Sequence, residues 1–400
     1  GLFLSLRSIS FAVLFILFAN IAFGAPASKR RKSSGTSHKV VKKRPATAAK
    51  ASTKKKTVRK ASYTRKAKPV VRGGPWTAPT YADSTLGDNV DGDDLEVRRA
   101  AVEALGPFNG SVIVVDTGTG RILTMVNQKL ALGSGFQPCS TIKVPVALAA
   151  LSEGIIDEGS AFARLGRHSN LTQALATSSN PYFASLGVKL GYQRFSRYAR
   201  LFGYGEKAGL NIEGETAGRF PAKPPRNGGM GMLTSFGEEI SQTPLQLAAF
   251  MTAVANGGTL YYLQYPRDQR EAAHFVPRVK RHLDIDGFLP LVKPGMLGAV
   301  EFGTARRAQQ EKAIAGKTGT CTESRTHLGW FGSFNESGPR KLAVVVMLTG
   351  GGPSIGPQAA GIAGNIYRNL SERQYFAKQS PLSPLAPASL ISTQICCTVP

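Results

Sequence analysis

The strand-like runs of this chain sit at the two ends of its body, and that placement limits the folds open to it. Between about Asp94 and Leu370, "SVIVVDTGTGRILTMVN" comes first, and "AIAGKTGTCTE", "THLGWFGSFN" and "KLAVVVMLTG" come last in close succession. β-Branched and aromatic residues recur in them, a composition that suits a pleated, half-buried surface. Thr117-Gly118-Thr119-Gly120 divides the first stretch and predicts a hairpin there. Between the two ends the periodicity is helical. It predicts a helix over 140–152, a helical stretch over 171–200 interrupted at Asn180-Pro181, and a helix begun by Thr243 and Pro244 and stopped by Gly257-Gly258. One large domain over 95–372 follows, of the α/β (α+β) class: an antiparallel sheet whose first and last segments pair, with a helical region inserted.

The flanks differ sharply from this body. Residues 29–72 hold 18 of the 50 Lys and Arg and no Asp or Glu, so a formal charge of +25 leaves only +7 for the remainder. Such a segment buries too little apolar surface to offset its ordering entropy, and 29–94 is read as a basic disordered linker. Its charge suits polyanions: anionic wall polymers or lipids in a cell envelope, nucleic acid in a cytosol. Residues 1–28 decide between them. Ser8 to Ser28 is uncharged and apolar, with Arg7 in front and Ala22-Phe23-Gly24 near its end, a pattern of a secretory signal or a short membrane anchor. Export to the envelope is expected, with no nucleic-acid partner. Residues 373–400, rich in Pro and Ser, read as a disordered tail. Four Cys in a chain of this size do not make a disulfide scaffold, and the five His form no ligand-spaced cluster, so no metal or other cofactor is expected.

One lysine is out of place. "FQPCSTIKVPVALAALSEG" opens an apolar helix with Lys143, three residues after Ser140. An unpaired buried ammonium costs several kcal/mol, so Lys143 must snorkel, pair, or be held neutral. Ser-x-x-Lys alone decides nothing, since Ser52-Thr53-Lys54-Lys55 matches it too. The order of three motifs is more telling: Ser140-x-x-Lys143 opening a helix, Ser178-Ser179-Asn180 at a helix break, and Lys317-Thr318-Gly319 on a strand. Each residue alone also fits a structural role, as cap, turn former or solvated strand charge.

In this order the trio resembles the signature of penicillin-binding proteins and class A β-lactamases. With "GETAGRFP", "LTSFGEEISQTPLQLAAFMTAVANGG" and "AGKTGTCTESRTHLGWFGSF" beside it, the body is similar to a penicillin-binding transpeptidase domain of the monofunctional, class B kind. The resemblance implies a central antiparallel sheet flanked by helices, with an all-helical lobe carrying the second motif. It implies D,D-transpeptidase or D,D-carboxypeptidase activity on D-Ala-D-Ala stem peptides of peptidoglycan, with β-lactams as covalent inhibitors. Ser140 would be the nucleophile and Lys143 its base, with an ammonium pKa lowered by burial and by the like charge of Lys317. Ser178 would relay a proton, Asn180 would hold Lys143 and a substrate carbonyl, and Lys317 would supply positive potential. Thr318, Gly319 and Thr320 would form the substrate strand, with the two threonines on the terminal carboxylate and the N–H groups of Ser140 and Thr320 as oxyanion hole.

Two departures and two rivals accompany the resemblance. The residue before the nucleophile, commonly glycine in the family, is Cys139, and Cys321 directly follows Thr320. If the two backbones share one oxyanion, a bridge and a pair of small buried thiols are both open. Class D β-lactamases and penicillin-sensing domains share the lysine geometry but carry an apolar residue where Asn180 stands. A deacylating glutamate of the class A kind has only Glu206 as a counterpart, followed by Leu210-Asn211 one residue too late. The rival of another class is a polyanion-binding protein acting through residues 29–72, with a catalytically silent body.

Overall fold

The computed structural model describes residues 80–377, apart from 134, 158, 160–169, 324 and 325. The regions read as signal or anchor, most of the basic linker, and residues 378–400 with Cys396 and Cys397 therefore lie outside the described residues. The strands are β1 (Gly110–Asp116), β2 (Ile122–Val126), β3 (Thr259–Tyr261), β4 (Val279–His282), β5 (Ile314–Glu323), β6 (Thr326–Asn335) and β7 (Leu342–Thr349). The helices are α1 (Leu95–Leu105), α2 (Gln128–Gly133), α3 (Lys143–Ser152), α4 (Leu171–Ala176), α5 (Asn180–Leu201), α6 (Gly229–Phe236), α7 (Pro244–Ala255), α8 (Gln269–Ala273), α9 (Leu289–Glu301) and α10 (Ile355–Glu372).

Five strands form one antiparallel sheet in the order β2-β1-β7-β6-β5, so the first and last strand regions do pair. β1 and β7 are apolar on both faces because both faces are covered. Ile113 and Val115 of β1, with Val345 and Met347 of β7, enter a core shared with α3 and α7. Their neighbours Val112, Val114, Val344 and Val346 enter a second core with α1 and α10. The period of two thus divides one strand between two layers, and a one-residue slip would exchange them. The Ile113↔Val345 register is held on those terms. β3 and β4 make a separate two-stranded ribbon.

The helices start where local chemistry lets them. α7 carries a capping box: the Thr243 hydroxyl accepts from the Gln246 N–H, the Gln246 side chain accepts from the Thr243 N–H, and Pro244 fills the first position. All twelve of its residues are buried, which its near-uniform apolar sequence requires. The Asp94 carboxylate caps α1 by accepting from the N–H groups of Glu96 and Val97.

Residues 80–94 correct the reading of a linker that runs up to the domain. Asp88 accepts from Arg98 at 2.7 Å and from the N–H groups of Asn127 and Gln128 at 2.9 and 2.8 Å. Asp93, only 2% exposed, accepts from Thr124 and Tyr265, each at 2.6 Å. This stretch is acidic where 29–72 is basic, and its carboxylates have partners on the domain. Likewise the first residues assigned to the tail pack down: Tyr375 and Phe376 are buried, and Tyr375 donates to Asp94 at 2.8 Å. Among the described residues no helix is long and apolar enough to cross a membrane.

Candidate active site

Ser140 lies in a short 3-10 turn, Cys139–Ile142, that runs directly into α3. The sequence suggested one continuous helix from Ser140; the tighter turn places Lys143 as the first α-helical residue and puts it one turn below the serine. The turn presses on the edge strand β5. Gly319 is the residue that permits this, because a Cβ there would stand 2.9 Å from the Pro138 carbonyl oxygen and 3.2 Å from Thr141 Cγ2. Trp330 of β6 fixes the turn from below, its indole N–H donating to the Gln137 carbonyl at 3.0 Å.

Between α4 and α5 the chain reverses at Ser178, which takes φ +60°, a left-handed conformation uncommon outside glycine. That conformation turns both oxygens of Ser178 toward one atom: the carbonyl and the hydroxyl each lie 3.1 Å from Lys143 Nζ. Lys143 Nζ is also 2.7 Å from Ser140 Oγ and 2.5 Å from Asn180 Oδ1. Lys317, on β5, reaches the same hydroxyl, with Nζ 2.9 Å from Ser178 Oγ and 3.0 Å from the Thr318 carbonyl. Ser178 Oγ therefore bridges two lysine side chains that are both 0% exposed, while Ser140 is 9% exposed and Asn180 stands open to solvent.

Burial sets the electrostatics. It pulls Lys143 down to about 7, and it takes Lys317 well below the usual lysine range, with repulsion from Lys143 adding to the effect. Sequence reasoning named burial and the like charge of the other lysine as causes; burial is the leading cause at both amines, and the repulsion between them is mutual. Among the described residues no carboxylate touches either amine, so neither snorkelling nor ion pairing there resolves the misplaced lysine. A buried amine joined only to neutral oxygens is held toward its uncharged form.

All five residues singled out as catalytic converge in this cluster. On the substrate strand the outcome is divided. Thr318 Oγ1 bonds to Thr304 Oγ1 at 2.6 Å. Thr320 Oγ1 faces the start of α10, 2.1 Å from where a Cβ on Gly356 would stand. Of the two options for the cysteines, the structure has the bridge, Cys139–Cys321 with Cα atoms 5.5 Å apart. Three further residues escaped the sequence reading. Phe183 and Phe236 place their rings 5.9 and 5.8 Å from Lys143 Nζ, and Thr304 partners Thr318. Phe183 was findable, since it lies three residues after Asn180 on one helix face; Phe236 and Thr304 reach the site only through tertiary packing. A cavity of about 750 Å³ opens beside the turn, lined among others by Gln137, Arg219, Glu238, Thr322 and Glu323.

Comparison with known proteins agrees with this geometry. A family model described as the penicillin binding protein transpeptidase domain matches residues 110–372. Stage V sporulation protein D of Bacillus subtilis is 30% identical over 283 residues, covering 62% of this chain and 44% of that protein. The peptidoglycan D,D-transpeptidase MrdA of Escherichia coli K12 is 27% identical over 294 residues, covering 57% of this chain and 46% of that one. The chain thus spans less than half the length of these curated relatives. Among solved structures, Pseudomonas aeruginosa PBP2 in complex with WCK 5153 superposes with a TM-score of 0.58 at 22% identity, over 71% of this chain and 77% of that one. At that identity the superposition speaks to the fold: a mixed α/β domain with helices on both faces of an antiparallel sheet.

Proposed function

Because the chain belongs to the penicillin-binding protein transpeptidase family, we propose that it is a serine D,D-acyltransferase acting on peptidoglycan stem peptides that end in D-Ala-D-Ala. The observation that carries this reading is the buried chain of contacts Ser140–Lys143–Ser178–Lys317, with Lys143 Nζ 2.7 Å from the serine oxygen.

The donor inventory gives each member a role. Asn180 Oδ1 and the Ser178 carbonyl can only accept, so the two N–H bonds of a neutral Lys143 go to them and its lone pair is left for the Ser140 O–H. Two ammonium groups sharing one hydroxyl would repel, so the pair Lys143/Lys317 carries at most one positive charge at the start of the reaction. Lys143 takes the Ser140 proton as the serine oxygen bonds to the carbonyl carbon of the penultimate residue. The negative charge gathers on the carbonyl oxygen, where the N–H groups of Ser140 and Thr320 would receive it. The proton passes through Ser178 to the nitrogen of the departing D-alanine, and the C–N bond breaks to leave an ester on Ser140. An amine or water then attacks that ester, with the proton path reversed. Thr318, Gly319 and Thr320 would align the peptide along the free edge of β5.

Deacylation by water is slow on this reading. The one glutamate with a loosely matching sequence context, Glu206, is engaged by Lys280 and Arg281 rather than poised beside Ser140. A transferase is favoured over an efficient β-lactamase, with β-lactams trapped as long-lived acyl adducts. The work would lie in the cell envelope, outside the cytoplasmic membrane, where the charge of residues 29–72 would attract anionic wall polymer or lipid headgroups. Incubating the chain with a pentapeptide ending in D-Ala-D-Ala should release D-alanine, and Ser140→Ala should abolish the release. Adding an amine acceptor separates transpeptidation from hydrolysis by the mass of the product. Equal release by wild type and Ser140→Ala would overturn the assignment.

A further inference from the structure

Cys139 immediately precedes Ser140, is fully buried, and adopts φ +52°. A side chain there meets the following backbone, so a cysteine held in this left-handed conformation relaxes toward ordinary φ values unless something restrains it. The restraint is covalent: Cys139 Sγ is bonded to Cys321 Sγ, on β5 directly after Thr320. The bridge spans 182 positions of sequence and ties the serine's own turn to the strand that carries Lys317, Thr318 and Thr320. It joins the two backbone segments that the acyl-transfer reading requires to stay at one spacing. Gln137 and Thr322, in the wall of the 750 Å³ cavity, lie within two residues of the cysteines in sequence.

We propose that the Cys139–Cys321 disulfide positions the site for acyl transfer: it holds the residue before Ser140 left-handed and so aims Ser140 Oγ at Lys143 while keeping the Ser140 and Thr320 N–H groups on one oxyanion. This rests on the acyl-enzyme reading above. Neither cysteine touches the reacting atoms; both act through Ser140 and Thr320. A glycine at 139 would take the same backbone conformation with no tether, which gives the proposal a sharp rescue.

The test is acylation of the full chain by benzylpenicillin, resolved into the non-covalent binding constant and the first-order acylation constant. It is run on oxidised protein, on protein reduced with dithiothreitol, and on two unbridged variants, Cys139→Ser/Cys321→Ser and Cys139→Gly/Cys321→Ala. Near-ultraviolet circular dichroism checks that each stays folded at the assay temperature. Reduction and the serine pair should slow the first-order constant about tenfold, the rate equivalent of the left-handed penalty, with binding little changed. Reoxidation should restore the reduced protein, and the glycine variant should recover most of the oxidised rate. An unchanged first-order constant after reduction would overturn the proposal, as would a loss confined to binding, a glycine variant as slow as the serine pair, or two free thiols at these positions in unreduced, denatured protein. Failure of the oxidised protein to acylate at all would instead bring down the acyl-enzyme reading on which this one stands.

Discussion

The pH dependence of acylation follows from the burial of Lys143. Its amine is pulled down to about 7, and only the neutral form can take the Ser140 proton. The neutral fraction is about one-eleventh at pH 6, one-half at pH 7 and ten-elevenths at pH 8. The second-order rate of acylation by a penicillin should therefore rise about tenfold from pH 6 to pH 8, bend near pH 7, and level off above pH 8. A lysine at its ordinary pKa near 10.4 would give about a hundredfold rise over the same interval with no bend. The two profiles differ by a factor of ten, well beyond the scatter of a stopped-flow or fluorescent-penicillin assay. The sign follows from the charge: protonation disables the base, so activity is lost as pH falls. A slope of one continuing to pH 9, or a flat profile from pH 5.5 to pH 8, would refute the assignment of Lys143 as a base freed by burial.

The same burial opposes folding. Holding Lys143 at about 7 against about 10.4 in the unfolded chain destabilises the fold by roughly 4 kcal/mol at neutral pH. Because the folded pKa is the lower one, that penalty grows as pH falls from about 10.4 to about 7 and is complete below it. Lys143→Met should therefore abolish acylation yet raise the denaturation midpoint, the unfolding free energy gaining about 2 kcal/mol at neutral pH once the lost contacts with Asn180 and Ser178 are subtracted, with a wider gap at pH 6 than at pH 9. A midpoint lower than wild type at pH 6 would contradict this. Gly319→Ala should keep the fold and slow acylation at least tenfold, since the new Cβ drives the nucleophile turn off β5; an unchanged rate would show that the contact does not set the geometry. Thr243→Ala should lower stability by about 1 kcal/mol through loss of the capping box, read by urea denaturation, without moving the acylation rate.

Much of this architecture was written in local patterns. The β-branched runs around Thr117–Gly120 and in "KLAVVVMLTG" name β1, β2 and β7, and α7 announces itself through Thr243, Pro244 and the closing glycines. The trio was legible because each motif couples a chemical residue to a recognisable element boundary: a helix start, a helix break, a strand. What stayed hidden depends on tertiary geometry. Nothing local marks Ser178 or Cys139 as left-handed, since neither is glycine, yet those two φ values aim the site. Cys139 and Cys321 stand 182 positions apart, and spacing alone could not choose between a bridge and two thiols. Residues 80–94 were assigned by their neighbours' composition, whereas the partners of Asp88 and Asp93 lie on α1, β2 and the loop before α8.

Intact-protein and peptide mass spectrometry after exposure to benzylpenicillin asks the central question most directly. One antibiotic mass should be added per chain, persist over minutes, localise to the peptide containing Ser140, and vanish in Ser140→Ala. An adduct that survives in Ser140→Ala, or folded protein that neither forms an adduct nor consumes the antibiotic, would contradict a Ser140 acyl-enzyme.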